Sequence, residues 1–133
     1  MAFNFLKSKK ILVVDDEEDL IQLIETILTI KGGFSNVTLA RNGYEALRKV
    51  ATNKPDLILL DLMLEGIDGW TVAAMIKKNP ATAKIPIIAL TAHAGYGQDE
   101  KLLKKGFAYC INKPFNNSDL LRTVEKYLAG KPL

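Results

Sequence analysis

The chain has 133 residues, 48% of them hydrophobic and 25% charged, with a formal net charge of +3. That length and balance suit one folded domain and exclude a disordered or fibrous chain, and a second domain has no room. A single cysteine, Cys110, excludes an internal disulfide, a zinc cluster and a two-cysteine redox pair.

Residues 1–9 hold Phe3, Phe5 and Leu6 but neither a long apolar run nor a small-residue cleavage site. They are expected to form a short extension, not a signal peptide or an anchor. A domain follows at 10–129, with a tail at 130–133. No apolar stretch reaches the roughly 18 residues of a membrane span, so membrane insertion is not expected. The lysines are spread along the chain without an arginine-rich recognition helix, so direct nucleic-acid binding is not expected either.

Five short apolar runs, at 11–14, 37–40, 57–60, 87–90 and 108–111, are strand-sized. The segments between them read at helical period: Leu20, Leu23, Ile24 and Ile27, then Ala46, Leu47 and Val50, then Val72, Ala73 and Ile76. A shorter helix is expected around 101–105, and a last one carries Leu120, Leu121, Val124 and Leu128. Gly32 and Gly33 are expected to close the first helix, Asn53 to Pro55 the second, and Asn79 with Pro80 the third. The result is an α/β chain, a (βα)5 doubly wound parallel sheet of flavodoxin-like type. The first, third and fourth runs carry little polarity, as strands covered on both faces do, so the second and fifth belong at the edges and the order is 2-1-3-4-5.

Polar residues then fall in an informative pattern. Asp15 and Asp16 follow the first strand, Asp61 ends the third, Thr91 the fourth, and Lys113 follows the fifth. All five gather at the C-terminal edge of one parallel sheet, beside the topological reversal where α/β active sites form. Three adjacent carboxylates need a cation to stay ionised, and an all-oxygen set without histidine or cysteine points to Mg²⁺ or Mn²⁺. Lys113 supplies a mobile positive charge and Thr91 a hydroxyl. The single histidine, His93, belongs to no Ser-His-acid set, and it is expected on an exposed loop. A carboxylate can itself attack phosphorus, and Asp61, on the middle strand, is the central candidate. The acids at 15–18 occupy the place where a P-loop, a dinucleotide fold or a flavin mononucleotide carrier would cradle phosphate.

These residues resemble a response-regulator receiver domain of two-component and phosphorelay signalling. The likeness runs over about 10–128 and rests on V-V-D-D-E at 13–17, L-L-D-L-M-L-E-G-I-D-G at 59–69, L-T-A-H-A at 90–94 and K-P-F at 113–115. It implies that Asp61 is the phosphoacceptor and that Asp15 and Asp16 hold the metal together with Asp61 and the Met63 carbonyl. Thr91 and Lys113 would meet the phosphoryl group, and the Lys113–Pro114 bond would be cis. It further implies a cytoplasmic protein that takes a phosphoryl group from a histidine kinase or a histidine-containing phosphotransfer protein. Such a protein would phosphorylate itself from a donor in a Mg²⁺-dependent step and dephosphorylate itself, without being a conventional turnover enzyme.

The expectation is a stand-alone regulator. A receiver cut from a longer DNA-binding regulator and a non-phosphorylated scaffold are the alternatives. Two positions depart from the family pattern. Glu65 stands where proline is common four residues after the acceptor, and Cys110 takes the place of the switch aromatic three residues before the lysine. Strand period puts Tyr109 on the opposite face from Cys110 unless a bulge intervenes. An apolar stripe of Leu20, Ile21, Ile24 and Leu28 on the first helix is expected to leave surface for a docking histidine-containing bundle.

Overall fold

The computed structural model describes residues 2–92 and 98–130. Five parallel strands form one sheet in the order β2-β1-β3-β4-β5. They are β1 Lys10–Val14, β2 Asn36–Ala40, β3 Leu57–Asp61, β4 Ile87–Thr91 and β5 Tyr109–Asn112. All five expected strands are present, and the outer two are the ones placed at the edges. β5 begins one residue later than its apolar run suggested.

Alternation along the strands divides the core. Leu12, Val14, Ile58, Leu60 and Ala89 face α3 (Gly43–Asn53) and α4 (Gly69–Lys78), joined by Leu102 of α5 (Gln98–Lys104) and by Phe107. Ile11, Val13, Leu57, Leu59, Ile88, Leu90 and Ile111 face α2 (Glu18–Thr26) and α6 (Asn117–Ala129). The central strands bury side chains on both faces, which is why they read as continuous apolar runs.

Helix ends follow local chemistry. The Asn42 side chain accepts the Glu45 N–H at 2.8 Å while the Glu45 carboxylate accepts the Arg41 N–H at 2.6 Å, a reciprocal cap that starts α3. The Asp68 and Asn116 side chains cap α4 and α6 by accepting the Thr71 and Asp119 N–H groups. Lys54, with φ 44°, turns the chain out of α3, and Asn79 ends α4.

Two elements differ from expectation. The segment at 1–9 contains a helix, α1 Ala2–Lys7, anchored where the Lys7 carbonyl accepts the Ser35 N–H at 3.0 Å and where Lys7 Nζ meets Glu125 at 2.7 Å. One short turn carries too few apolar positions for periodicity to show. The first crossover helix passes at Ile27–Lys31 into a π-helical turn before Gly32.

The stripe foreseen on α2 is also corrected. Ile21, Ile24 and Leu28 are wholly buried in the core, and Leu20 is half-buried. The exposed apolar residues of this segment are Leu23 and Ile30.

Candidate functional site

β1 carries the chain to the sheet edge, where the Asp15 N–H still donates to the Ala40 carbonyl at 3.1 Å. That bond fixes the backbone at Asp15, whose side chain is fully buried, whereas Asp16 lies in solvent. Asp61 and Thr91 are the last residues of β3 and β4 and are both buried. Lys113 follows β5, and its N–H donates to the Thr91 carbonyl at 2.8 Å. Parallel strands thus bring the five expected residues to one edge. Carboxylate oxygens of Asp15, Asp16 and Asp61 lie within 4.8 Å of one another. Lys113 Nζ sits 3.1 Å from Asp15 Oδ2 and 3.3 Å from Asp61 Oδ2, so one ammonium spans the two buried acids.

Backbone amides orient each carboxylate. The Glu17 N–H donates to Asp15 Oδ1 at 2.9 Å, and the Met63 N–H donates to Asp61 Oδ1 at the same distance. The Glu65 N–H donates to Asp16 Oδ2 at 3.2 Å. The loop that supplies these last two donors is held by Gly69, whose N–H donates to the Leu62 carbonyl at 3.1 Å. A Cβ on Gly69 would fall 2.3 Å from the Asp61 carbonyl oxygen, so only glycine lets α4 start this close to the end of β3.

Burial pushes the Asp15 carboxyl above its ordinary value, and the neighbouring Asp61 charge adds to the rise. The Glu17 N–H and Lys113 oppose it. Burial alone would lower the Lys113 ammonium, but the charges of Asp15 and Asp61 outweigh it and hold the group above its usual value. The unmet demand of Asp15 for positive charge is what a hard cation would supply, and the all-oxygen donor set fits Mg²⁺ or Mn²⁺. The exposed Met63 side chain ends in a soft thioether, so this residue can offer a hard metal only its backbone carbonyl. Glu18, in the first turn of α2, is held down to about 2 by hydrogen bonds from Arg41 and Gln22 and stays ionised beside the site.

The Lys113–Pro114 bond is cis. His93 lies outside the described residues. Sequence reasoning missed two contributors. The Glu65 amide acts through the backbone, which residue type does not report, and Gly69 could have been found from the Asp-Gly pair that opens α4.

The sequence pattern of the response regulator receiver domain matches residues 11–125. The chain is a response regulator receiver domain. It carries the aspartate cluster typical of phosphoryl-accepting response regulators. The receiver is 38% identical over 124 residues to the response regulator PleD of Caulobacter vibrioides, covering 93% of this chain but 27% of PleD, so it spans about a quarter of that protein. It is 32% identical to the polar-differentiation response regulator DivK of Brucella anthropi, covering 91% of this chain and 97% of DivK. Among solved structures, the receiver domain of the sensor histidine kinase PA1611 from Pseudomonas aeruginosa superposes with a TM-score of 0.82. The two are 32% identical, with 92% of this chain and 98% of that one covered, and the PA1611 structure has a magnesium ion coordinated in its active-site cleft. Among the described residues of this receiver, no helix is long and apolar enough to cross a membrane.

Proposed function

We propose that Asp61 accepts a phosphoryl group from the phosphohistidine of a histidine kinase or a histidine-containing phosphotransfer protein. The observation that carries this reading is the Lys113 ammonium spanning Asp15 and Asp61 within a cluster of three carboxylates. An Asp61 carboxylate oxygen forms the new bond to phosphorus as the phosphorus–nitrogen bond of the donor breaks. The electron pair leaves with the imidazole nitrogen, which takes a proton from solvent. The Met63 N–H holds Asp61 Oδ1, so the second oxygen, now paired with Lys113, is the nucleophile. Lys113 then follows the charge from that oxygen onto the phosphoryl group, and the Thr91 hydroxyl donates to it.

Mg²⁺ or Mn²⁺, held by Asp15, Asp16, Asp61 and the Met63 carbonyl, would neutralise charge on the equatorial oxygens. The magnesium in the PA1611 receiver supports that assignment. Hydrolysis of the acyl phosphate returns Asp61 to its starting state. A cytoplasmic location, where the nucleotide-dependent kinase acts, accompanies this reading.

The test is incubation with Mg²⁺ and acetyl phosphate or phosphoramidate, followed by intact mass and peptide mapping. One added phosphoryl group, mapped to Asp61 and absent from Asp61→Asn, is the expected result. A folded protein that gains no adduct across several divalent metals, or an adduct elsewhere that survives Asp61→Asn, overturns the assignment.

A further inference from the structure

The two ends of the molecule carry opposite charge. Because strands and crossover helices run antiparallel to each other, every helix C-terminus lies at the edge where the strands begin, remote from the acidic site. Lysines collect there: Lys9 and Lys10 at the start of β1, Lys31 ending the π-helical turn, Lys54 after α3, Lys78 ending α4 and Lys105 after α5. All but Lys9 are exposed, and Lys9 is half-exposed.

Helix dipoles favour cations at these termini and explain Lys31, Lys54, Lys78 and Lys105 locally, but not Lys9 and Lys10. Together, however, the two groups set six lysines at one edge of the sheet. Two acids on that side are already engaged: Asp56 accepts the Lys10 N–H at 2.8 Å, and Glu125 pairs with Lys7.

Two apolar side chains stand in this basic end. Phe5 of α1 is 63% exposed and Ile30 of the π-helical turn is 77% exposed. The Lys9 ammonium lies 5.2 Å from the Phe5 ring. α1 packs on the loop that follows the π-helical turn, since the Ser35 N–H donates to the Lys7 carbonyl and Lys7 Nζ lies 4.2 Å over the Phe34 ring. α1 falls outside residues 11–125 that match the family pattern, so receiver chemistry does not account for it.

We propose that this end docks on an anionic lipid surface, with the lysines over the headgroups and Phe5 and Ile30 entering the interface. Two observations favour a bilayer over a nucleic acid. The apolar anchors suit the headgroup–acyl boundary, and the three arginines of the chain, Arg41, Arg48 and Arg122, all lie elsewhere, whereas bidentate phosphate recognition uses arginine. The acidic end would then face the solvent and remain open to a phosphodonor.

Flotation of the full chain with vesicles tests this, using phosphatidylcholine alone and phosphatidylcholine mixed with phosphatidylglycerol. Partition onto the anionic vesicles only, falling with salt, is expected. Replacing Lys9, Lys10 and Lys31 by Gln should weaken it roughly five-fold per lysine. Phe5→Ala with Ile30→Ala should lower affinity without altering the salt slope, and Arg48→Gln should change nothing. Circular dichroism checks that each variant is folded. No partition at low salt overturns the proposal. So does an equal loss from Arg48→Gln, or binding of the wild type to duplex DNA but not to vesicles.

Discussion

Glu65 stands where receivers commonly carry proline, and the difference reaches Asp16 through the backbone. Proline has no N–H, whereas the Glu65 amide holds Asp16 Oδ2 at 3.2 Å and so orients the one exposed carboxylate of the cluster. Gly66, with φ 81°, follows it, an arrangement that accepts proline at the preceding position. Glu65→Ala and Glu65→Pro both delete the carboxylate, but only the second deletes the donor. Calorimetric Mg²⁺ titration should therefore find affinity roughly five-fold weaker in the proline variant than in the alanine variant. Equal affinities would show that Asp16 needs no such tether.

Asp15 yields a second expectation with a definite sign. Its folded-state value is raised, so between the unfolded and folded values the native state binds more protons than the unfolded chain, and metal-free stability falls as pH rises through that window. Above it the cost persists. Asp15→Asn, which keeps an acceptor for the Glu17 N–H, should stabilise the metal-free protein at neutral pH by about 1 kcal/mol. In urea melts that gain should shrink on acidification, and Mg²⁺ should stabilise the variant less than the wild type. A variant less stable than wild type at neutral pH would mean that the Lys113 pairing outweighs the burial of Asp15.

At the scale of elements, the strands and the site edge were legible because each rests on period and position. Alternation fixed which face every residue of β1, β3 and β4 meets, and the polar residue just past each apolar run had to land at the C-terminal edge. β5 keeps a regular register with β4, from Ile88 opposite Tyr109 to Thr91 opposite Asn112, so no bulge rescues Tyr109, as period two requires. What stayed hidden depends on tertiary contact. α1 is stabilised by the Lys7 contacts with Glu125 and Phe34, which adjacent sequence cannot announce. The apolar stripe on α2 was read correctly as apolar but wrongly as surplus, because only the packed sheet shows how wide a stripe it covers. The approach of α4 to β3 is of the same kind. Gly69→Ala sets a methyl against the Asp61 carbonyl, and it should cost about 2–4 kcal/mol in urea unfolding. Acetyl phosphate labelling should slow as well, since relief of the clash must move either α4 or the end of β3. A variant of wild-type stability would show that α4 slides freely.

For the molecule as a whole, the question is how far phosphorylation is felt. Thr91 and Lys113 are joined through the backbone, and Lys113 grips both buried acids, so the loops around the site are coupled to one another. Farther out the coupling lacks a part. The resemblance assigns the moving aromatic to position 110, which here is a half-buried cysteine opposite Ala89 of β4, lining a cavity with Leu102 and Phe107. Tyr109 faces the other side, where its ring lies 5.8 Å from that of Tyr127 in α6. A thiol fills too little volume to drive two packings of that face apart, and a two-state surface needs such a difference. Beryllofluoride with Mg²⁺ should accordingly shift the amides around Asp61, Thr91 and Lys113 strongly and those of α5 and α6 weakly. That pattern suits a protein that relays its phosphoryl group better than one that signals by shape. Cys110→Tyr should spread the shifts into both helices. Large shifts across α5 and α6 in the wild-type chain, comparable with those at Asp61, would mean that the switch operates without the aromatic and that the relay reading fails.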